Sequence, residues 1–281
     1  MTPPPVTLLS TLEALSEEGE RLDSLVTDLA DGEWTLPTPA AGWTIAHQIA
    51  HLAWTDAATS ASLTSTDTDD RFGSFLEEQR KSAEHFVDRT AARLAQLPPT
   101  DLLSRWRASR TTLETDFRAA AGGPSRRFPW FGPAMGLQSM ITARLMETWA
   151  HGYDVADTLD ITLPPSRGLR SISHLGVITR DFSYRLNGLT PPEGPFLVEL
   201  ESGDGEHWTW GPNDGSAVGS VRGPALDFCL FVTQRREPDD LALVFSGEEA
   251  RRWSTFAQVF AGPPKSVMRG RSSGAVSPRD V

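Results

Sequence analysis

A single cysteine in 281 residues, Cys229, excludes an internal disulfide and any Cys-x-x-Cys metal or redox pair. Its neighbours Phe228, Leu230 and Phe231 read as buried packing around an unreactive thiol, and the missing disulfide frame fits a reducing compartment. No apolar run reaches the ~18 residues that a membrane span requires. The opening MTPPPVTLL lacks the charged and then apolar stretches of a signal peptide, so a cytoplasmic protein is expected. Positive charge is also short. Twenty-six Lys and Arg against 37 Asp and Glu leave a net charge of −11, which argues against a nucleic acid or an anionic membrane as partner. No GxGxxG follows a strand pattern, GxxxxGKS/T does not occur, and the one GxSxG, GRSSG at 270–274, lies in the aperiodic tail with no strand before it, so nucleotide-fold and serine-hydrolase readings have no support. There is no internal repeat. What remains is an ordinary globular composition, 39% hydrophobic and 22% charged, in a chain long enough for two domains.

The periodicity of the first half is helical. Leu8, Leu12, Leu15, Leu22, Leu25, Val26 and Leu29 recur at three- and four-residue spacing over 6–29, and Asp31-Gly32 with Pro37 and Pro39 ends that helix. A second helix over 42–60 is apolar nearly all round and belongs at the centre of a bundle. Helical spacing returns over 72–97 and again over 101–121, on either side of Pro98-Pro99. Residues 122–133, GGPSRRFPWFGP, read as a loop whose Trp130 and Phe131 are candidates for pocket walls. After Pro164-Pro165 the texture changes. A helix is expected over 168–186, then a hairpin of 196–201 and 207–210 about Ser202-Gly203-Asp204-Gly205. A helix over 224–236, a strand over 241–245 and a helix over 248–260 complete an α+β portion. The division expected is 1–163 as a helical bundle, 164–262 as a small α+β domain and 263–281 as a disordered tail.

The informative stretch is 137–160, LQSMITARLMETWAHGYDVADTLD. Its helix formers predict several turns, yet Arg144, Glu147, His151, Asp154 and Thr158 fill the seam normally given to aliphatics. Buried polar groups need partners. Glu147 and His151, four apart, can reach one metal ion together, and the alternative is a structural ion-pair network. His47 and His51 form a second ligand-type pair on the 42–60 helix. His85, His174 and His207 sit in settings that read as solvated or packed. Two imidazoles and a carboxylate leave a coordination position open, as catalytic zinc sites do, although other divalent ions accept the same donors. Arg144 and Asp154, one turn to either side, are placed to orient a ligand, grip a substrate or move a proton.

Three segments, WTIAHQIAHLAWTD, RLMETWAHGYDVADTL and GPALDFCLFVTQRR, resemble an actinobacterial branch of the mycothiol-dependent maleylpyruvate isomerase family. The resemblance covers nearly the whole chain apart from the tail. It implies an α+β protein in which a DinB-like metal-binding four-helix bundle precedes a small sterol-carrier-like domain. It also implies a zinc-type ion on His51, Glu147 and His151, with His47 outside that set, and an arginine near the active site that maps best onto Arg235 or Arg236. Mycothiol or another low-molecular-weight thiol would then be the co-substrate. The reaction would be isomerisation or S-transfer on a small, anionic, electrophilic substrate, with Arg144 or Arg235 on its carboxylate and Arg236 and Trp130 toward the cofactor. A thiol-independent Lewis-acid isomerase, cyclase or hydrolase, and a non-catalytic binder with His47 as fourth ligand, are the competing readings. A monomer or homodimer is expected.

Overall fold

Thr7 and Ser10 open the first helix by a reciprocal exchange. The Ser10 N–H donates to Thr7 Oγ1 at 3.1 Å and the Thr7 N–H to Ser10 Oγ at 3.0 Å. From there α1 (Leu8–Val26) buries Leu12, Leu15, Leu22 and Val26. Helix α2 (Ile45–Thr64) starts at Thr44 and buries most of its circumference, as its near-continuous apolar sequence predicts. Helix α3 (Gly73–Lys81) and α4 (Phe86–Leu94) occupy the stretch expected as a single helix over 72–97. His85 stands exposed at the N-cap of α4. Pro99 sits in the first turn of α5 (Pro99–Ala121), where its missing N–H costs nothing. Within the loop expected over 122–133, β1 (Arg127–Phe128) pairs with β2 (Met135–Gly136), and α6 (Leu137–Thr158) follows. The computed structural model describes residues 6–66, 68–81 and 85–260.

These elements make the first of two units, Val6–Gly168. Its main helices form a ring in which α1 lies against α6 and α5, and α2 against α5 and α6, while α4 packs on α2. The polar seam of α6 and the Gln48–Asp56 stretch of α2 thus face one another inside a four-helix bundle. Arg107 of α5 ties to Asp23 of α1, with Nε 2.9 Å from Oδ2. That bond, against a smaller opposing effect of burial, holds the Asp23 carboxyl below its usual range.

The second unit runs from Leu169 onward, a few residues past the 163/164 boundary expected from the prolines. Helix α7 (Leu169–Ile178) and α8 (Arg180–Leu186) split the helix expected over 168–186, because Thr179 leaves helical geometry at φ −91°, ψ 4°. Strands β3 (Phe196–Glu201) and β4 (His207–Trp210) form the expected antiparallel hairpin. A strand that sequence reasoning missed, β5 (Gly219–Pro224), runs parallel to β3, and β6 (Val244–Ser246) closes the order β4-β3-β5-β6. Gly211 ends the hairpin at φ 88°, where an added Cβ would lie 2.0 Å from the Phe196 carbonyl oxygen. Helices α7, α9 (Ala225–Val232) and α10 (Glu248–Ser254) pack on the sheet. Their core holds Tyr184, Phe228, Phe231 and Trp253. Cys229 is fully buried there, and desolvation pushes its thiol up to about 12, which bears out the reading of an unreactive packing residue. Among the described residues no helix is long and apolar enough to cross a membrane. The tail expected over 263–281 lies outside the described residues.

Candidate metal centre

Position 51 lies nearly two turns into α2 and positions 147 and 151 lie one turn apart in the middle of α6, so bundle packing alone brings them together. The ligand atoms of His51, Glu147 and His151 all lie within 4.8 Å of one another. His151 Nε2 is 3.1 Å and His51 Nε2 3.4 Å from the same oxygen, Glu147 Oε2. The imidazole centroids are 4.7 Å apart with the rings tilted by 54°. The donors remain reachable, since the Glu147 side chain keeps 23% of its surface. Burial opposes ionisation of Glu147, but the hydrogen bonds and charges of His151 and His51 outweigh it and hold the carboxyl well below the usual range. The site therefore contributes an anion and two imidazole nitrogens to one point.

The remaining residues fall into place around that point. Asp154 is buried on the far side of the His151 ring, with Oδ2 3.7 Å from Nδ1. Arg144 is 3% exposed and faces inward to Asp56 of α2, with Nε 3.1 Å and Nη2 3.0 Å from Asp56 Oδ1. A guanidinium so enclosed serves a buried carboxylate and is not presented to an incoming anion. His47 turns back on its own helix. Its Nδ1 accepts from the Thr44 N–H at 3.3 Å and lies 2.8 Å from Thr44 Oγ1, the place a glutamate takes in a capping box. It is not in the ligand cluster, and burial lowers its pKa. Trp130 stacks on Phe72 at 5.8 Å and Phe131 on Trp54 at 5.5 Å, so both rings pack on the bundle core and not against the imidazoles. Arg235 and Arg236 belong to the other unit, in the turn after α9, where Arg235 Nη1 donates to the Thr233 carbonyl at 2.7 Å.

Three participants escaped the sequence reading. Trp43 stacks on His151 at 5.8 Å with an interplanar angle of 11° and lies 5.4 Å from His51, and its Nε1 donates to Asp88. Gln48, completely buried, is hydrogen-bonded through Oε1 to His151 Nδ1. Asp56 receives Arg144. All three lie on the 42–60 stretch, at positions 43, 48 and 56, and their only sequence signal is that a polar residue interrupts an otherwise apolar helix or that an aromatic precedes it.

Residues 15–156 match the family described as mycothiol maleylpyruvate isomerase N-terminal domain. Two uncharacterized proteins from two strains of Mycobacterium tuberculosis are each 49% identical over 250 residues, covering 89% of this chain and 95% of the relative. Among solved structures, the crystal structure of the mycothiol-dependent maleylpyruvate isomerase superposes with a TM-score of 0.56 at 16% identity, over 83% of this chain and 91% of that one. A histidine-to-alanine mutant of that enzyme superposes with the same score, over 86% of this chain and 93% of that one. At such low identity these structures speak to the fold alone, which they share with this chain in its α+β class and its helical first half.

Proposed function

The chain belongs to the family defined by the mycothiol maleylpyruvate isomerase N-terminal domain, and from that premise we propose that it is a metal-dependent enzyme using a low-molecular-weight thiol on a small anionic electrophile. The observation that carries the metal half is the meeting of two imidazole nitrogens from two helices on one carboxylate oxygen. Donors about 2.0–2.1 Å from a tetrahedral ion stand about 3.3 Å apart. The two nitrogen–oxygen separations here are 3.1 and 3.4 Å, and all three donor atoms lie within 4.8 Å of one another. The donor set, two nitrogens and one anionic oxygen with no fourth ligand in the cluster among the described residues, suits zinc best and leaves room for one more donor. A bound ion of this kind would supply a positive charge that makes a thiol far more acidic than it is in water.

The chain's own residues define what surrounds such a thiol. Glu147 enters ionised, so it offsets part of the ion's charge and needs no deprotonation on binding. Trp43 stacks its apolar face on the His151 ring, packs tilted against His51 and keeps water from that side. Asp154 lies behind His151, where its carboxylate steadies positive charge on the ring and is the group assigned to proton movement. Arg144 is committed to Asp56, which takes it out of the carboxylate-binding role. The reaction that fits is reversible thiol addition. A C–S bond forms as the π pair moves onto the electron-withdrawing group, the resulting single bond rotates, and loss of the thiol restores the double bond as an isomer. If the C–S bond is kept, the product is a thiol conjugate. The test is turnover of unsaturated keto acids such as maleylpyruvate by metal-loaded protein with and without mycothiol. The proposal expects product only with the thiol present, and equal turnover without it would overturn the thiol half.

A further inference from the structure

Resting on that metal reading, we propose that Gln48 is the positioning residue of the centre, fixing the proton of the neutral His151 ring on Nδ1 so that Nε2 presents a bare lone pair. An amide's oxygen and nitrogen are told apart by what they face, and here the assignment can be traced back to a group with no choice. The Trp43 backbone carbonyl can only accept. It accepts from the Thr38 hydroxyl at 3.1 Å, as well as from the Thr38 N–H at 2.8 Å. With its proton so directed, Thr38 Oγ1 offers a lone pair to Gln48, and Gln48 Nε2 donates to it at 2.7 Å. The Gln48 oxygen must then point the other way, and it meets His151 Nδ1. A carbonyl oxygen accepts, so the ring nitrogen facing it carries the hydrogen.

The polarity of the whole run, from the Trp43 carbonyl to the imidazole, is set by the backbone. The rival orienting group is Asp154, whose carboxylate is 3.7 Å from Nδ1, beyond hydrogen-bond reach, while Gln48 is within it. Gln48 is 0% exposed, so water offers no substitute partner. The consequence is that Nε2, 3.1 Å from Glu147 Oε2, faces a carboxylate with no hydrogen of its own whenever the ring is neutral. Two lone-pair-bearing atoms held that close need a cation between them. The residue at position 48 thus makes this corner of the bundle a receptor for positive charge instead of a closed hydrogen-bonded pair.

Two measurements test it. In the metal-free wild-type protein, at a pH above the ring's titration, imidazole 15N correlation spectra should show His151 as the Nδ1–H tautomer. A proton on Nε2 would overturn the proposal, and this result does not depend on any variant folding. Second, zinc affinity is measured by chelator competition for Gln48→Leu and Gln48→Glu. Loss of an orienting partner typically costs roughly ten- to hundredfold in metal affinity. Gln48→Leu should fall in that range, whereas Gln48→Glu, which keeps an oxygen toward Nδ1, should stay closer to wild type. A purely structural role predicts the reverse order, since leucine suits a dry interior and a new carboxyl does not. Zinc binding by Gln48→Leu within twofold of wild type would refute the positioning role. If the wild-type protein bound no zinc at all, the metal reading would fail, while the tautomer spectrum would still decide the role of Gln48.

Discussion

Breaking the Asp56–Arg144 pair from one side should be far worse than removing it altogether. Both side chains are 3% exposed, and the guanidinium meets one carboxylate oxygen at 3.0–3.1 Å. Burial pushes the Asp56 carboxyl up even with Arg144 beside it, so desolvation exceeds the attraction that the pair recovers. Arg144→Met leaves Asp56 as an uncompensated buried acid, and Asp56→Leu leaves Arg144 as an uncompensated buried cation. Each single change should cost about 3–5 kcal/mol. For a unit of this size that corresponds to a fall in Tm of roughly 6–20 °C. The double variant replaces both charges by apolar groups of similar volume and should be neutral or more stable, by up to about 4 kcal/mol. Urea unfolding of the four proteins of the cycle, with m-values compared, measures this directly. The reasoning would be refuted if Arg144→Met cost less than about 1 kcal/mol, or if the double variant lost as much as the two singles summed. Zinc binding by a folded double variant should be close to wild type, because Arg144 is not among the donors. A large loss of affinity there would return Arg144 to the functional site.

Other expectations follow from single groups. Cys229, with its thiol near 12 and no exposed surface, should react with a thiol reagent only as fast as the chain unfolds, so labelling rates in increasing urea should track the unfolding transition. Prompt labelling of native protein would contradict the burial. Asp23 has its carboxyl lowered chiefly by Arg107, so the stability this tie provides is present above the unfolded aspartate value of about 3.9 and is lost as pH falls through the lower folded value. The Arg107 side chain is 45% exposed, which discounts the tie to about 1 kcal/mol or less. Asp23→Asn should therefore destabilise the protein slightly at pH 7 and not at pH 2, by urea midpoint. An equal effect at both pH values would mean the loss comes from packing.

The parts of the fold that were legible in the sequence are those where one helix carries its own signal. The stretch 137–160 was readable because its polar seam repeats at helical spacing, and it forms α6, Leu137–Thr158. Glu147 and His151 stand out for the same reason. Pro98-Pro99 marked the start of α5, and the Ser-Gly-Asp-Gly turn marked the β3–β4 hairpin. Strand β5 was not legible. GSVRGP carries one large apolar residue between glycines and a proline, and it is a strand because β3 and β6 pair with it on both sides. The same limit explains Gln48 and Trp43. Nothing local distinguishes a buried glutamine in IAHQIAH from a tolerated polar residue, since its meaning lies in a histidine that the sequence places 103 residues away. His47 misled in the opposite direction. A histidine four residues before another suggests a metal pair, but position 47 falls at the third residue of a helix, where capping claims the ring.

The central claim is that His51, Glu147 and His151 share one ion. The direct measurement is zinc stoichiometry by elemental analysis after dialysis, for the wild-type chain and for His51→Ala, Glu147→Gln and His151→Ala, with helical circular dichroism recorded on each sample. The account predicts one ion per wild-type chain and little or none in each variant, with helicity largely kept. Stoichiometric zinc in all three variants, or none in the wild-type protein, would contradict it.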